Sequence, residues 1–121
     1  MSDSRRQLGA FGERVAKGHL ERQGYKILET NFRCSVGEID IVARDGDCLV
    51  FVEVRTRRGR GFGTPEESIT PTKKAKLIEL AQYYIQEHQN SSSLWRIDIM
   101  AIEIGRGGKI SRIELIKNAI D

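Results

Sequence analysis

Apolar residues recur at near-helical spacing at the start of the chain, at Leu8, Phe11, Val15 and Leu20. This predicts an amphipathic first helix between a capping Ser4 and Gly24, with Glu13 on it. The period then changes. Tyr25 to Phe32 reads as a strand, and the runs Gly37 to Val42 and Leu49 to Arg55 add two more in a meander, joined by a tight turn at Asp45-Gly46-Asp47. A Gly- and Arg-rich loop, Thr56 to Thr64, follows. Thr70-Pro71 sets a capping hydroxyl before a proline at the first helical position. The helix it opens has apolar positions at Leu77, Leu80, Ala81, Tyr84 and Ile85 and fades near His88. Asn90 to Ser93 reads as a connector, Leu94 to Ile104 as a strand, Gly105 to Gly108 as a turn and Lys109 to Ile116 as a last strand. The expected order is αβββαββ.

Within this pattern the two central runs carry acids where strand residues are usually apolar. Ionised carboxylates are seldom left unpaired in such settings, because desolvating the charge costs several kcal/mol. A two-residue hairpin loop makes opposed residue numbers add to an odd total, so either Asp40 or Glu38 faces Glu53, and both registers gather three acids. Alternation puts Glu38 and Asp40 on one face with Glu53 and Arg55, and Ile39, Ile41, Val50, Val52 and Val54 on the other. Directly opposed like charges are unfavourable in a sheet built only for stability. A hard divalent cation with oxygen ligands, Mg²⁺ or Mn²⁺, turns that repulsion into attraction.

A length of 121 residues predicts one domain spanning 1–121. Bulk charge is only +3 and identifies no partner, but its distribution does. Arg55, Arg57, Arg58 and Arg60 follow the second acidic run, and Lys73, Lys74 and Lys76 come soon after. Arg57, Arg58, Arg60, Lys73 and Lys74 are therefore the expected nucleic-acid contacts, since cations beside a carboxylate site suit a phosphate-rich polymer. Cys34 and Cys48 are too few for a zinc cage or a disulfide framework and are expected as reduced thiols. His19 and His88 lack a partner pattern and are expected on helix surfaces. Trp95, Tyr83 and Tyr84 lie in apolar runs and are expected in the core. Gly59 to Gly63 lacks the Lys-Ser/Thr ending of a phosphate-binding loop, which argues against nucleotide binding. With no signal-peptide pattern and no run approaching the ~20 apolar residues that span a bilayer, a soluble cytoplasmic protein is expected.

An acid pair on neighbouring strands, followed two residues later by a cation, is the arrangement expected for metal-assisted phosphodiester hydrolysis. The segments around Asp40 and Glu53-Val54-Arg55 resemble the PD-(D/E)xK nuclease core, in which the first Asp and the Glu are metal ligands and the last position is usually Lys. Over nearly the whole chain, Gly12-Glu13, Gly24-Tyr25, Asn31, Gly37-Glu38-Ile39-Asp40, Phe51 to Arg55, Arg96-Ile97-Asp98 and Asn118-Ala119 together resemble the YraN family of small bacterial proteins. That resemblance implies an α/β, restriction-endonuclease-like fold, a mixed central sheet flanked by helices. It also implies a likeness to archaeal Holliday-junction resolvases, which carry an acid on the first helix that Glu13 matches.

The resulting expectation is a metal-dependent DNA endonuclease acting on branched or flapped DNA. Asp40 and Glu53 would hold Mg²⁺ or Mn²⁺, Glu13 would support the metal or a bridging water, and Arg55 would engage the scissile phosphate. The resolvase likeness also implies a homodimer. Arg55 stands where lysine is usual, and a guanidinium suits phosphate binding but not proton transfer. That departure favours a rival reading, a non-catalytic nucleic-acid-binding module that retains the fold. A third reading is a protein-interaction subunit with a basic surface. At the residue level, Asp40 and Glu53 could instead be a structural cluster neutralised by Arg55, Arg44 or Arg57, Glu13 a solvated helix residue, and Arg96 with Asp98 a structural pair on one strand face.

Overall fold

The computed structural model describes residues 2–59, 61, 63–88 and 94–120, so the expected connector at 90–93 and Arg60 lie outside the described residues. The elements are α1 (Ser2–Arg22), β1 (Lys26–Arg33), β2 (Glu38–Asp45), β3 (Cys48–Arg58), a 3₁₀ turn at Glu66–Ser68, α2 (Pro71–Glu87), β4 (Trp95–Ile104), a 3₁₀ turn at Arg106–Gly108 and β5 (Ile110–Ile120). The order αβββαββ is the expected one. The strands form one sheet in the order β1-β2-β3-β4-β5. All neighbours are antiparallel except β3 and β4, which are parallel and joined through α2. This is the mixed α/β, restriction-endonuclease-like architecture. Among the described residues no helix is long and apolar enough to cross a membrane.

Side chains alternate between the two faces of the sheet, and each face carries its own core. Leu49, Phe51, Ile97 and Ile99 pack with Leu77, Leu80, Ala81 and Tyr84 of α2. Val50, Val52, Met100 and Ile102 pack with Ala16 and Leu20 of α1. The two helices therefore cover opposite faces, which is why β3 and β4 read as nearly unbroken apolar runs. Thr70 caps α2 by accepting from the Lys73 amide at 3.1 Å, with Pro71 at the first helical position as expected.

Three boundaries depart from the expectation. Ser4 does not cap α1, because the helix already runs from Ser2. The first strand is Lys26–Arg33, so Tyr25 precedes it and Arg33 extends it. The last strand continues past Ile116 to Ile120. Its alternation is interrupted at Asn118, a positive-φ residue where the β4–β5 register slips, and the freed Asn118 amide donates to Asp98 at 2.8 Å. A bulge of this kind hides the strand's continuation from a period-two reading. His88, expected as a plain surface residue, stacks on Tyr84 at 3.8 Å between ring centroids. Tyr84 is buried as expected, whereas Tyr83 is half-buried and Trp95 is exposed at the start of β4, so neither joins the core. Both cysteines are free.

One contact places α1 against the sheet. A Cβ on Gly12 would overlap the Thr56 side chain outright, so only glycine lets α1 approach β3 this closely. Glycine to alanine inside a helix ordinarily stabilises by about 0.5–1 kcal/mol. Here the clash reverses the sign, and we expect Gly12→Ala to destabilise by about 1–3 kcal/mol. Thermal melting checks this, and a higher Tm in the variant would show that α1 is not seated on Thr56.

Candidate active site

The hairpin decides the register that the sequence leaves open. Gly46 takes the left-handed φ at the turn, Asp45 pairs with Cys48 and the ladder runs to Ile41 opposite Val52. That register carries Asp40, not Glu38, towards Glu53. No further β2–β3 pair forms beyond Ile41. Instead the Val54 amide donates to Asp40 Oδ2 at 2.8 Å, and β3 continues alone on that side to Arg58. A cleft opens where the two strands part. It has a volume of about 360 Å³ and is lined by Asp40, Glu53 and Arg55, with Arg5, Leu8 and Glu13 of α1 across from them.

The strict facing of side chains fails at this point. Ile39 packs with Val42, Leu49 and Phe51 on the α2 side, whereas Ile41 packs with Val50 and Val52 on the α1 side, so the expectation that Ile39 and Ile41 share a face is corrected. The irregularity coincides with Asp40 and with Asn31 of β1, a positive-φ residue at the position the Asp40 pairing skips. The Asn31 side chain in turn favours the charged form of Glu13. Asn31 was legible only as part of the family pattern, since a left-handed backbone inside a strand gives no periodic signal.

Asp40 and Glu53 form a carboxylate dyad, with Glu53 buried at only 5% exposed and Asp40 half-buried. Each acid acts on the other, Asp40 raising the pKa of Glu53 and Glu53 lowering that of Asp40. Burial first, and then the neighbouring Asp40 charge, push Glu53 from 4.5 up to about 7, against the pull of Lys73 and Arg55. Burial also raises Asp40, opposed chiefly by the Val54 amide. Glu13 is raised as well, by burial and then by Asp40. Two cations reach the dyad through one oxygen. Arg55 donates from Nε to Glu53 Oε2 at 3.0 Å with its Nη2 at 2.9 Å, and Lys73 Nζ lies 3.8 Å from the same atom.

The structure thus brings Asp40, Glu53, Arg55 and Glu13 to one cleft, and adds Lys73 to the dyad itself. Arg57 and Arg58 line a second cavity beside the cleft, together with Arg5, which the sequence pattern did not single out. Lys74 is exposed, and no contact places it at the dyad. The expected cluster of three acids does not form. Glu38 is half-buried and turns to Arg33 at 3.5 Å, and among the described residues no three Asp, Glu, His or Cys side chains converge as a metal cage. Arg96 and Asp98 are the structural pair expected, tied further to Asp45 and Tyr25.

The chain is thus a mixed α/β, restriction-endonuclease-like sheet with a carboxylate pair at the parting of two strands. The chain belongs to uncharacterised protein family UPF0102, the YraN family, whose model matches residues 12–102. It is 47% identical over 120 residues to a UPF0102 protein of Dehalococcoides mccartyi, covering 99% of this chain and 98% of the relative. It is 49% identical over 123 residues to one of Roseiflexus castenholzii, covering 100% and 98%. A relative from Pelotomaculum thermopropionicum is 44% identical over 119 residues, covering 98% and 99%.

A raised carboxyl pKa has a definite consequence for stability. Between about pH 4.5 and 7 folded Glu53 holds a proton that the unfolded chain has released, so stability falls as pH rises through that window. The expected loss is on the order of 1–3 kcal/mol. Glu66, held down at about 2 by Arg112, acts only at lower pH, whereas the raised Asp40 and Glu13 add a decline of the same sign as Glu53. Melting in EDTA at pH 5 and pH 8 should show the decline for the parent chain and a flatter response for Glu53→Gln. Equal slopes in the two proteins would mean that the dyad does not carry the proton.

Proposed function

We propose that this protein is a divalent-metal-dependent DNA endonuclease whose reacting centre is the Asp40–Glu53 dyad. The observation that supports the reading is the dyad itself, a buried Glu53 beside a half-buried Asp40 at an open cleft, two acids whose proximity is costly in the metal-free fold and so poor candidates for a purely structural role. Their chemistry fits Mg²⁺ or Mn²⁺. Mg²⁺ typically binds through one or two carboxylates and completes its shell with water and substrate phosphates, so a third protein acid is not required. When bound, such an ion supplies an activated water and neutralises charge developing on the attacked phosphate.

The chain's own residues divide the remaining work. Asp40 is held by the Val54 amide, which fixes its carboxylate at the parting of the strands. Glu53 must lose its proton and its pairing with Arg55 and Lys73 before its oxygen is free to act as a ligand. The two cations released in this way lie at the same cleft, where each can engage phosphate oxygens. Arg55 offers a planar fork for them and Lys73 a compact ammonium. Glu13, across the cleft on α1, is positioned to orient water. Branched or flapped DNA is the substrate class suggested by the family resemblance.

A second reading, a nucleic-acid-binding module that does not cut, is favoured by Arg55 at the position where lysine is usual. Single-turnover reactions in Mn²⁺ on single-stranded, duplex, flapped and four-way DNA distinguish the two. We expect cleavage that Asp40→Asn abolishes and that Arg55→Lys increases. Binding of every substrate with no cleavage by any of these proteins would establish the second reading.

Metal binding has its own expected signature. Mn²⁺ should raise the Tm by mass action, more at pH 8 than at pH 6, because the dyad must be deprotonated to bind. Asp40→Asn should lose most of that shift while its metal-free form melts no lower than the parent. Calorimetry giving equal Mn²⁺ responses in both proteins would exclude a metal site at Asp40.

A further inference from the structure

The cleft does not end at the dyad. A cavity of about 490 Å³ adjoins it, and the two share Arg5, Leu8, Arg55 and Thr56 as common walls. Arg57 and Arg58 of β3 complete the second chamber on one side and the first turns of α1 on the other. Arg112 binds Glu66, Glu103 and Glu114, and Arg96 binds Asp45 and Asp98. Arg5, Arg57 and Arg58 have no ion pair among the described residues, and they differ from the other unpaired arginines in lining one chamber together. Three guanidiniums around one chamber attract an anion, and the fork geometry of arginine suits phosphate oxygens. Leu8 adds an apolar wall on which a sugar can rest.

We propose that this chamber seats the phosphate next to the one at the dyad, on a single strand of nucleic acid, and that Arg5 is a substrate-binding residue. The proposal rests on the reading of the dyad as a phosphodiester site, because that reading puts a strand in the cleft. A strand leaving the dyad through the shared walls enters the chamber directly. Its space, bounded by α1 on one side and β3 on the other and open to solvent, has the scale of a small-ligand pocket with room for one nucleotide.

Binding in EDTA tests this without any cleavage step. Fluorescence anisotropy would compare the full chain, Arg5→Ala, Arg5→Lys and Lys26→Ala on a 12-nucleotide single strand and on a blunt duplex, across a salt series. Lys26 is an exposed cation at the hairpin end of the sheet, opposite Arg44, and controls for loss of one charge. Arg5 is exposed, so its removal leaves the core intact. Arg5→Ala should weaken single-strand binding about five- to tenfold and flatten the slope of log affinity against log salt by about 0.7, the value for one lost contact. Arg5→Lys should restore the slope, and Lys26→Ala should change neither. Equal behaviour of Arg5→Ala and Lys26→Ala would overturn the subsite, and an equal loss on blunt duplex would overturn its assignment to a single strand. The nuclease reading fails separately. An Arg5 effect without metal-dependent cleavage leaves the subsite and removes the enzyme, while cleavage without an Arg5 effect does the reverse.

Discussion

Two carboxyl groups that repel each other inside a largely apolar sheet set the terms for everything around them. Desolvation disfavours either charge, raising both carboxyl pKa values, and Arg55 and Lys73 are drawn onto Glu53 Oε2 against it. The surrounding elements are arranged to allow that. β2 and β3 stop pairing at Ile41 and Val52, so Asp40 can take the Val54 amide that the ladder no longer uses. α2 begins at a Thr70 cap that fixes the first turn from which Lys73 extends. α1 lies close to β3 because Gly12 has no side chain to meet Thr56.

The distribution of the other charges follows the same logic. Away from the cleft the buried acids are matched, with Asp98 held by Arg96 and the Asn118 amide, and Glu103 by Arg112. Arg112 also grips Glu66, which ties the segment after β3 to the far strands of the sheet. Such networks brace a fold without asking anything of a ligand. At the cleft Arg55 and Lys73 converge on Glu53 Oε2, and Arg5, Arg57 and Arg58 line the adjoining chamber with no ion pair among the described residues.

The comparisons and the fold agree at the level they reach. Relatives sharing 44–49% of positions over nearly the full length make the UPF0102 family certain, and the family's description assigns no activity. The chemistry has therefore to be argued from the site.

Much of this was legible in the chain alone, and the residues show why. Apolar periodicity determined the element order, the turn at Gly46 and the capped start of α2, since these depend on local backbone preference. Acids within apolar runs marked Asp40 and Glu53, since their cost of burial is a property of residue type. Tertiary structure alone decided which acid meets Glu53, because one hairpin register selects Asp40 and turns Glu38 towards Arg33. It also decided that Lys73, 20 positions along the chain from Glu53, shares its oxygen, and that Arg5 faces the end of β3. Those meetings depend on how helices cross a sheet. Neither the left-handed turns at Asn31 and Asn118 nor the tight seat at Gly12 leaves a periodic trace, because each answers a contact with a distant part of the chain.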